Sequence, residues 1–252
     1  MPSAPAPQPL VNLLAMDTST ERLALGLQAR GGPWHLTAAG GAAASSTLLP
    51  QALRLLGGAG LVASELQFIA FGRGPGAFTG LRTACAVAQG LGFGLSVPLL
   101  AVDSLLIVAE DARAQTDAAV EPFDVGVAMD ARMDESYAGV YRWQAGAWRV
   151  LRAPALYTLP ALAQAWQGLA LHVVAGSAWA AFGSRLAVPA GAVVVGQELD
   201  RAAALLRLAA RAAAADEGID AADALPLYLR DKVALTTDER DAVRAAAAAV
   251  LP

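Results

Sequence analysis

One order of elements occurs twice in this chain, and that repetition constrains its fold more than any other feature. LLAMD (13–17) is an apolar run ending in an acid, TSTE follows as a turn, and RLALGLQA (22–29) alternates as a strand does. LQFIAFG (66–72) is then a short, buried type of strand running into a glycine-rich loop. In the second half DVGVAMDARMDESYAGVYRW (124–143) reads strand, acidic turn, strand, and LHVVAGSAW (171–179) reads strand, glycine, loop. The AMD at 128–130 echoes the AMD at 15–17 with an offset of 113 residues, and Gly176 follows Gly72 by 104. A shorter loop absorbs the difference. The expected fold is a duplicated α/β unit with a cleft between its halves.

Between the repeats lie helical patterns. GGAAASSTLLPQALRLLGGAG holds a helix over about 45–57, with Ser45 or Ser46 as N-cap and Pro50 near its first turn. Leu49, Leu53 and Leu56 share one face of it, Leu48, Ala52 and Leu55 flank that face, and Gly57 and Gly58 end the helix. A second helix runs from about Thr79 to Phe93. VPLLAVDSL begins as a strand and leads to a helix through about Arg113, and the charged stretch QTDAAVEPFD marks the break between halves. RAAALLRLAARAAAADEG (201–218) reads as a helix capped by Gly218, and RDAVRAAAAAV (240–250) as another. The expected division is a disordered extension at 1–11, an N-terminal lobe at 12–105, a C-terminal lobe at 106–220, and a segment at 221–252 returning towards the N-terminal lobe.

Composition removes several function classes. No stretch of about 18 uninterrupted apolar residues is present, so no membrane span is expected, although 56% of the residues are hydrophobic. The formal net charge is −4, Lys232 is the single lysine, and the 17 arginines are scattered. A phosphate-backbone binder needs a clustered basic footprint, so this chain is not expected to hold most of a nucleic acid itself. Cys85 is the only cysteine, which forbids an internal disulfide and fits a reducing compartment. MPSAPAPQPLVN has no basic start and no apolar centre, so it is not a secretion signal, and the cytoplasm is the default location.

The loop FGRGPGAFTGLR (71–82) invites a phosphate-binding reading. It lacks the lysine of G-x-x-x-x-G-K-[ST], and after Gly72 and Gly74 it has Ala77 where a dinucleotide loop prefers glycine. Free N–H groups near Thr79 can still bind an anion; the alternative is a tight turn that starts a helix close to the sheet. Along that helix Gly80, Ala84, Ala88 and Gly92 form a stripe of small residues at a spacing of four, beside Leu81, Cys85 and Leu91. Such a stripe serves either packing on the chain's own sheet or close approach of a partner helix.

Asp17 and Asp130, at paired hairpin turns, can bind magnesium and phosphate across a cleft, or simply satisfy their own turns. Neither DTSTE nor DARMDE contains the glycine that a phosphate-contacting kinase turn usually has. His35 and His172 stand alone, so no metal site is expected. Asp134 and Glu135 read as solvated turn acids. No G-x-S-x-G elbow occurs, which argues against a serine hydrolase, and Cys85 reads as packed rather than reactive.

MDTST (16–20), FGRGPGAFTGLR (71–82), AVDSL (101–105), MDARMDESY (129–137) and LPLYLR (225–230) together resemble the TsaB family, over about residues 12–232. Members are subunits of the machinery that makes threonylcarbamoyladenosine in tRNA, beside the anticodon. The resemblance implies the two-lobed α/β fold of the actin/Hsp70/sugar-kinase type. It also implies a non-catalytic subunit, similar to the catalytic TsaD but without its metal-ligand histidines, that needs no cofactor or metal. The implied partners are a TsaD-type catalytic subunit and a TsaE-type ATPase, with a homodimer when the chain is alone and tRNA met only through the complex. Family pairing uses the two N-lobe helices, here 45–57 and 79–93, which assigns Leu49, Leu53, Leu56, Gly80, Leu81, Arg82, Ala84, Cys85, Ala88 and Gly92 to the partner surface. Gly72, Arg73, Gly74, Pro75, Gly76 and Thr79 would position the second helix. Asp17, Thr18, Ser19, Asp130 and Arg132 would be the remains of a nucleotide cleft. Two departures from the family pattern are Ala44 in place of histidine and Leu225 in place of glutamate. The rival readings are an ATP-dependent small-molecule kinase of the same fold and a peptidase.

Overall fold

The computed structural model describes residues 11–116 and 120–230. The expected N-terminal extension up to residue 10 and the helix at 240–250 lie outside the described residues.

The most apolar runs become the central strands, because a strand covered on both faces reads as continuous rather than alternating hydrophobicity. β1 (Leu13–Asp17) is buried at all five positions, and β4 (Phe68–Gly74) at most of its seven. β2 (Arg22–Ala29) pairs antiparallel with β1, and β3 (Gly32–Ala39) antiparallel with β2. β3 alternates between half-buried and exposed residues, as an edge strand does. β4 and β5 (Leu99–Asp103) join on the other side in parallel, giving the order β3-β2-β1-β4-β5.

The second sheet repeats this plan. β6 (Phe123–Asp130), β7 (Glu135–Gln144) and β8 (Ala147–Thr158) are antiparallel, and β9 (Val173–Ala175) and β10 (Val193–Val195) extend from β6 in parallel. The order is β10-β9-β6-β7-β8, so β6 answers to β1 and β9 to β4. Asp17 ends β1 and Asp130 ends β6. The short AMD echo is therefore a real duplication, and the chain has the two-lobed α/β fold of the actin/Hsp70/sugar-kinase type.

Helices α1 (Ala44–Gly58) and α2 (Phe78–Leu95) pack side by side on one face of the first sheet, against Met16, Leu25, Ile69 and Phe71. The start of α1 differs from expectation, whereas α2 begins one residue before the expected Thr79. A 3-10 turn at Gly41–Ala43 runs directly into α1, so Ala43 is the N-cap and Ser46 Oγ donates back to its carbonyl at 3.1 Å. Pro50 consequently sits in the second turn, where it lacks the N–H that would bond Ser46.

The remaining large helices are exchanged between lobes. α3 (Ser104–Gln115) follows the first sheet but covers the second, burying Leu105, Val108 and Ala112 against Val125, Val127 and Val173. α6 (Arg201–Ala214) follows the second sheet but covers the first, burying Leu205 and Leu206 against Leu13, Ala15 and Leu100. α6 ends before Gly218: Ala215 is the C-cap and Asp216 takes the left-handed conformation at φ 55. Among the described residues, the helices on the outer face of the second sheet are α4 (Leu159–Trp166) and the single turn α5 (Ala178–Phe182).

Two buried acids fasten α3 to α6. Glu110 accepts from Arg207 Nε at 2.6 Å and from Trp148 Nε1 at 2.8 Å. Burial would raise its carboxyl, but Arg207, Trp148 and Arg113 hold it below its usual range. Asp111 accepts the backbone N–H groups of Leu199 and Asp200 at 3.0 and 2.9 Å. Among the described residues no helix is long and apolar enough to cross a membrane.

Candidate functional site: interlobe cleft and outer helical face

Strand direction brings the two acidic hairpins to the same end of their sheets, across a cleft of about 980 Å³. One wall holds Ser19, Thr20 and Glu21 with the loop Pro75–Phe78. The other holds Asp130–Met133, Ser177 and Gly196–Glu198. Arg201 lies between them. Leu227–Arg230 runs along the mouth.

The glycine-rich loop is shaped by the hairpin beside it. A Cβ on Gly72 would lie 1.7 Å from Asp17 Oδ2, one on Gly76 2.5 Å from the Ser19 carbonyl oxygen, and one on Gly80 1.8 Å from the Thr18 carbonyl oxygen. No side chain fits at these positions. The polar groups of loop and hairpin satisfy one another as well. Ala77 N donates to the Ser19 carbonyl at 2.8 Å, Thr18 Oγ1 to the Gly80 carbonyl at 2.6 Å, and Gly74 N to Ser104 Oγ at 3.0 Å. The loop therefore seats the hairpin and sets where α2 begins, and two of the N–H groups that an anion would require are already engaged. Arg73 and Thr79 face solvent, with the Arg73 carbonyl accepting from Leu227 N at 2.7 Å.

Asp17 is fully buried and paired. Its Oδ1 accepts from Arg201 Nε at 2.9 Å, Ser19 Oγ at 2.8 Å and Ser19 N at 3.1 Å, and its Oδ2 accepts from Ser104 Oγ at 3.0 Å. Burial by itself would raise this carboxyl; the Arg201 charge and these hydrogen bonds hold it below the usual range instead. Arg201 also meets Glu198 and donates to Ser19 Oγ at 2.8 Å and to the Ser104 carbonyl at 3.2 Å. Asp103 contrasts with Asp17. Burial pushes its carboxyl up, although Tyr141 Oη donates to it at 2.6 Å and it caps α3 by accepting from Leu105 N at 2.9 Å. The AVDSL stretch thus contributes a cap and a cross-lobe bond through Asp103, and a link from hairpin to loop through Ser104.

Asp130 stays half-buried and closes its own turn, accepting from Arg132 N at 2.8 Å. Arg132 points out and pairs with the exposed Glu21 at 3.3 Å. Arg132, Met133 and Asp134 are all left-handed, at φ 66, 56 and 58, although none is glycine. Arg230 holds this turn, donating to the Ala131 carbonyl at 3.0 Å and pairing with Glu135 at 2.7 Å; Arg185 pairs with Asp134 at 2.6 Å. Glu135 is thus an anchor rather than a solvated turn acid.

The candidate pairing surface needs a correction. Gly80, Leu81, Ala84, Cys85, Ala88 and Gly92 are buried, and so is Leu56. These side chains face the chain's own sheet: Ala84, Cys85 and Ala88 join the first-lobe core, and Gly92 meets Leu99 and Ala221. The physical reason is that the apolar neighbours Leu81 and Cys85 take this side inward. The outward stripe lies two residues on, at Arg82, Ala86, Gly90 and Gly94. Beside it stand Leu49, Leu53 and Phe93, exposed to 39%, 49% and 60%. Among the described residues, nothing beyond the helix itself lies within 4 Å of where a Cβ would sit on Gly57, Gly58, Gly90 or Gly94. Arg82 lies over the Phe78 ring at 3.9 Å and donates to Tyr228 Oη at 3.1 Å.

The residues that sequence reasoning missed are Ser104, Glu198, Arg201 and Arg230. Arg201 is separated from Asp17 by 184 positions in an alanine-rich helix, and no local pattern marks it. His35 pairs with Asp200 at 3.4 Å and His172 Nδ1 accepts from Asp124 N at 3.1 Å. Among the described residues no group of three His, Cys, Asp or Glu side chains is placed to hold a metal ion.

Comparison with known proteins matches these features. A family model described as "TsaD: tRNA N6-adenosine threonylcarbamoyltransferase" covers residues 41–214. The "tRNA threonylcarbamoyladenosine biosynthesis protein TsaB" of Escherichia coli is 30% identical over 228 residues, spanning 89% of this chain and 96% of that protein. Its namesake in Haemophilus influenzae is 37% identical over 127 residues, and that match spans about half the length of each, 50% and 52%. The solved structure "YeaZ from Pseudomonas aeruginosa" is 39% identical with a TM-score of 0.76, covering 87% of this chain and all of that one. A second Pseudomonas aeruginosa structure, described as an uncharacterized protein with similarity to peptidase YEAZ, is 38% identical with a TM-score of 0.78, covering 88% of this chain. Similar along nearly its whole length to one TsaB protein, and alike in fold to YeaZ, this chain belongs to the TsaB family.

Proposed function

We propose that this chain is a non-catalytic scaffold and activator subunit in the biosynthesis of threonylcarbamoyladenosine in tRNA. In this reading it pairs with a TsaD-type catalytic subunit through the outer face of α1 and α2, recruits a TsaE-type ATPase to the assembly, and meets tRNA only through the complex. Alone, it forms a homodimer through the same face.

The observation that carries the reading is the outer helical face. A solvent-facing glycine inside a helix costs about 1 kcal/mol relative to alanine. α2 accepts that cost at Gly90 and Gly94, where among the described residues nothing outside the helix's own backbone lies near. A second helix backbone packed there would offset it and would cover Leu49, Leu53 and Phe93. The cleft supports the non-catalytic half of the reading, because Asp17 is already neutralised by Arg201.

Light scattering behind a sizing column tests the proposal, on the chain alone and after co-expression with the TsaD-type subunit. The expected result is a homodimer that exchanges into a one-to-one heterodimer. Leu53→Asp should shift the self-association constant by about 100-fold or more, as losing a buried apolar anchor at an interface does, while the monomer melts as before. A Leu53→Asp variant that pairs like the parent would remove this face from the proposal.

A further inference from the structure

A two-lobed α/β cleft with an acid at each hairpin is where a magnesium nucleotide would be expected, and the first-lobe hairpin and loop do not fit one. The cation half of such a site requires a carboxylate with free lone pairs. Asp17 spends its own on Arg201, Ser19 and Ser104. The anion half requires free N–H groups, and Gly74 N and Ala77 N are bonded within the chain. Arg201, only 6% exposed, reaches this point from the first residue of α6 and closes the arrangement.

We propose that the Arg201 guanidinium is an internal stand-in for a divalent cation, and that the oxygens around it form a latent cation site which opens when the arginine is removed. Those oxygens come from Asp17, Glu198, Ser19 and the Ser104 carbonyl. They are hard donors of the kind that Mg²⁺, Mn²⁺ and Ca²⁺ accept, and two of them carry negative charge. They also come from three separate stretches: the β1–β2 hairpin, the start of α3, and the loop between β10 and α6. One planar, permanently charged fork thus satisfies the hairpin and ties the loop before α6 to it. A bound ion would do the same only while it stayed bound. The arginine makes the union permanent and independent of nucleotide. The inference rests on the cleft alone and holds whether or not the outer helical face pairs.

The test is calorimetric titration of the full chain, and of Arg201→Ala and Arg201→Gln, with Mn²⁺ alone and with Mn²⁺·ADP, beside thermal melts in each condition. The parent chain is expected to show no binding. Each variant should melt roughly 10 °C lower, since it leaves the buried Asp17 and the half-buried Glu198 without a counter-charge. Millimolar Mn²⁺ should recover part of that loss, and the recovery should vanish when Asp17→Asn is added. Binding of Mn²⁺·ADP by the parent chain overturns the proposal, and so do folded Arg201 variants that take up no Mn²⁺. If neither variant folds, methylguanidinium is added to refolding Arg201→Ala: recovery of the native melt supports a cation's role at this point, and its absence overturns it.

Discussion

The β1–β2 hairpin and the β6–β7 hairpin are the same element in two copies, yet the chain uses them oppositely. In the first lobe Asp17, Thr18 and Ser19 are buried against the glycine-rich loop, and Asp17 is held by an arginine 184 positions away. In the second lobe Asp130 serves its own turn, and Met133, exposed to 59%, projects from a run of three left-handed residues. The helices diverge in parallel. α1 and α2, of 15 and 18 residues, cover their sheet on one side and leave Leu49, Leu53 and Phe93 on an exposed outer face. α4 and α5 have only 8 and 5 residues. Duplication dictates the sheets, since strand order follows from the backbone, while each copy's turns and helices are free to take up separate work.

Substituting the paired acids gives the largest expected contrast. Asp17→Ala strands the buried Arg201 and should cost about 3–5 kcal/mol, whereas Asp130→Ala loses a partly exposed turn bond worth about 1 kcal/mol. Because its folded-state carboxyl is held low, Asp17 stabilises the chain fully above the ordinary carboxylate range, and this contribution is lost as pH falls below that range. Denaturant titrations across acid pH should therefore show a flatter profile for Asp17→Ala than for the parent. Equal costs at the two hairpins would break the contrast.

Next in size are the glycines of α2. Gly80→Ala drives a methyl into the Thr18 carbonyl and should destabilise the fold by about 1–3 kcal/mol. Gly90→Ala, nearly three turns further on, meets no described residue outside its own helix and should stabilise the monomer by about 0.5–1 kcal/mol. The same Gly90→Ala change should weaken pairing if a partner backbone lies close. Melting temperature and self-association, measured on one pair of variants, separate the inward face from the outward one.

The smallest effect concerns the strained turn. Met133→Gly relieves a left-handed non-glycine residue, which costs about 1–2 kcal/mol, but loosens the unfolded chain, so a net stabilisation below about 1 kcal/mol is expected. A loss of stability would mean that the methionine side chain contributes contacts that outweigh its backbone strain.

Several features were legible beforehand. The AMD echo and the repeated strand–glycine order predict two equivalent sheets, because apolar runs of strand length have few ways to be buried. The glycines of 72–80 announce a close approach, although not by what. The facing of α2 was misread, since Gly80, Ala84, Ala88 and Gly92 on one stripe and Ala86, Gly90 and Gly94 on the next are alike small. Arg82 is the one local clue that the second stripe points to water. Nothing in ARMD signals three left-handed residues, because an arginine at 230, a hundred positions away, holds that turn.

The sequence alone therefore determined the central strands β1, β2, β4–β7 and β9 and the helices α1, α2, α3 and α6, that the plan occurs twice, and which family the motifs resemble; β3, β8, β10, α4 and α5 were not read from it. These follow from short-range periodicity and turn chemistry. Only the tertiary structure decided that α3 and α6 exchange lobes, that Arg201 closes on Asp17, and which side of α2 faces outward. Each of those depends on groups brought together across long stretches of chain, where the cost of burying a charge or a bare backbone is met by a partner that local sequence does not contain.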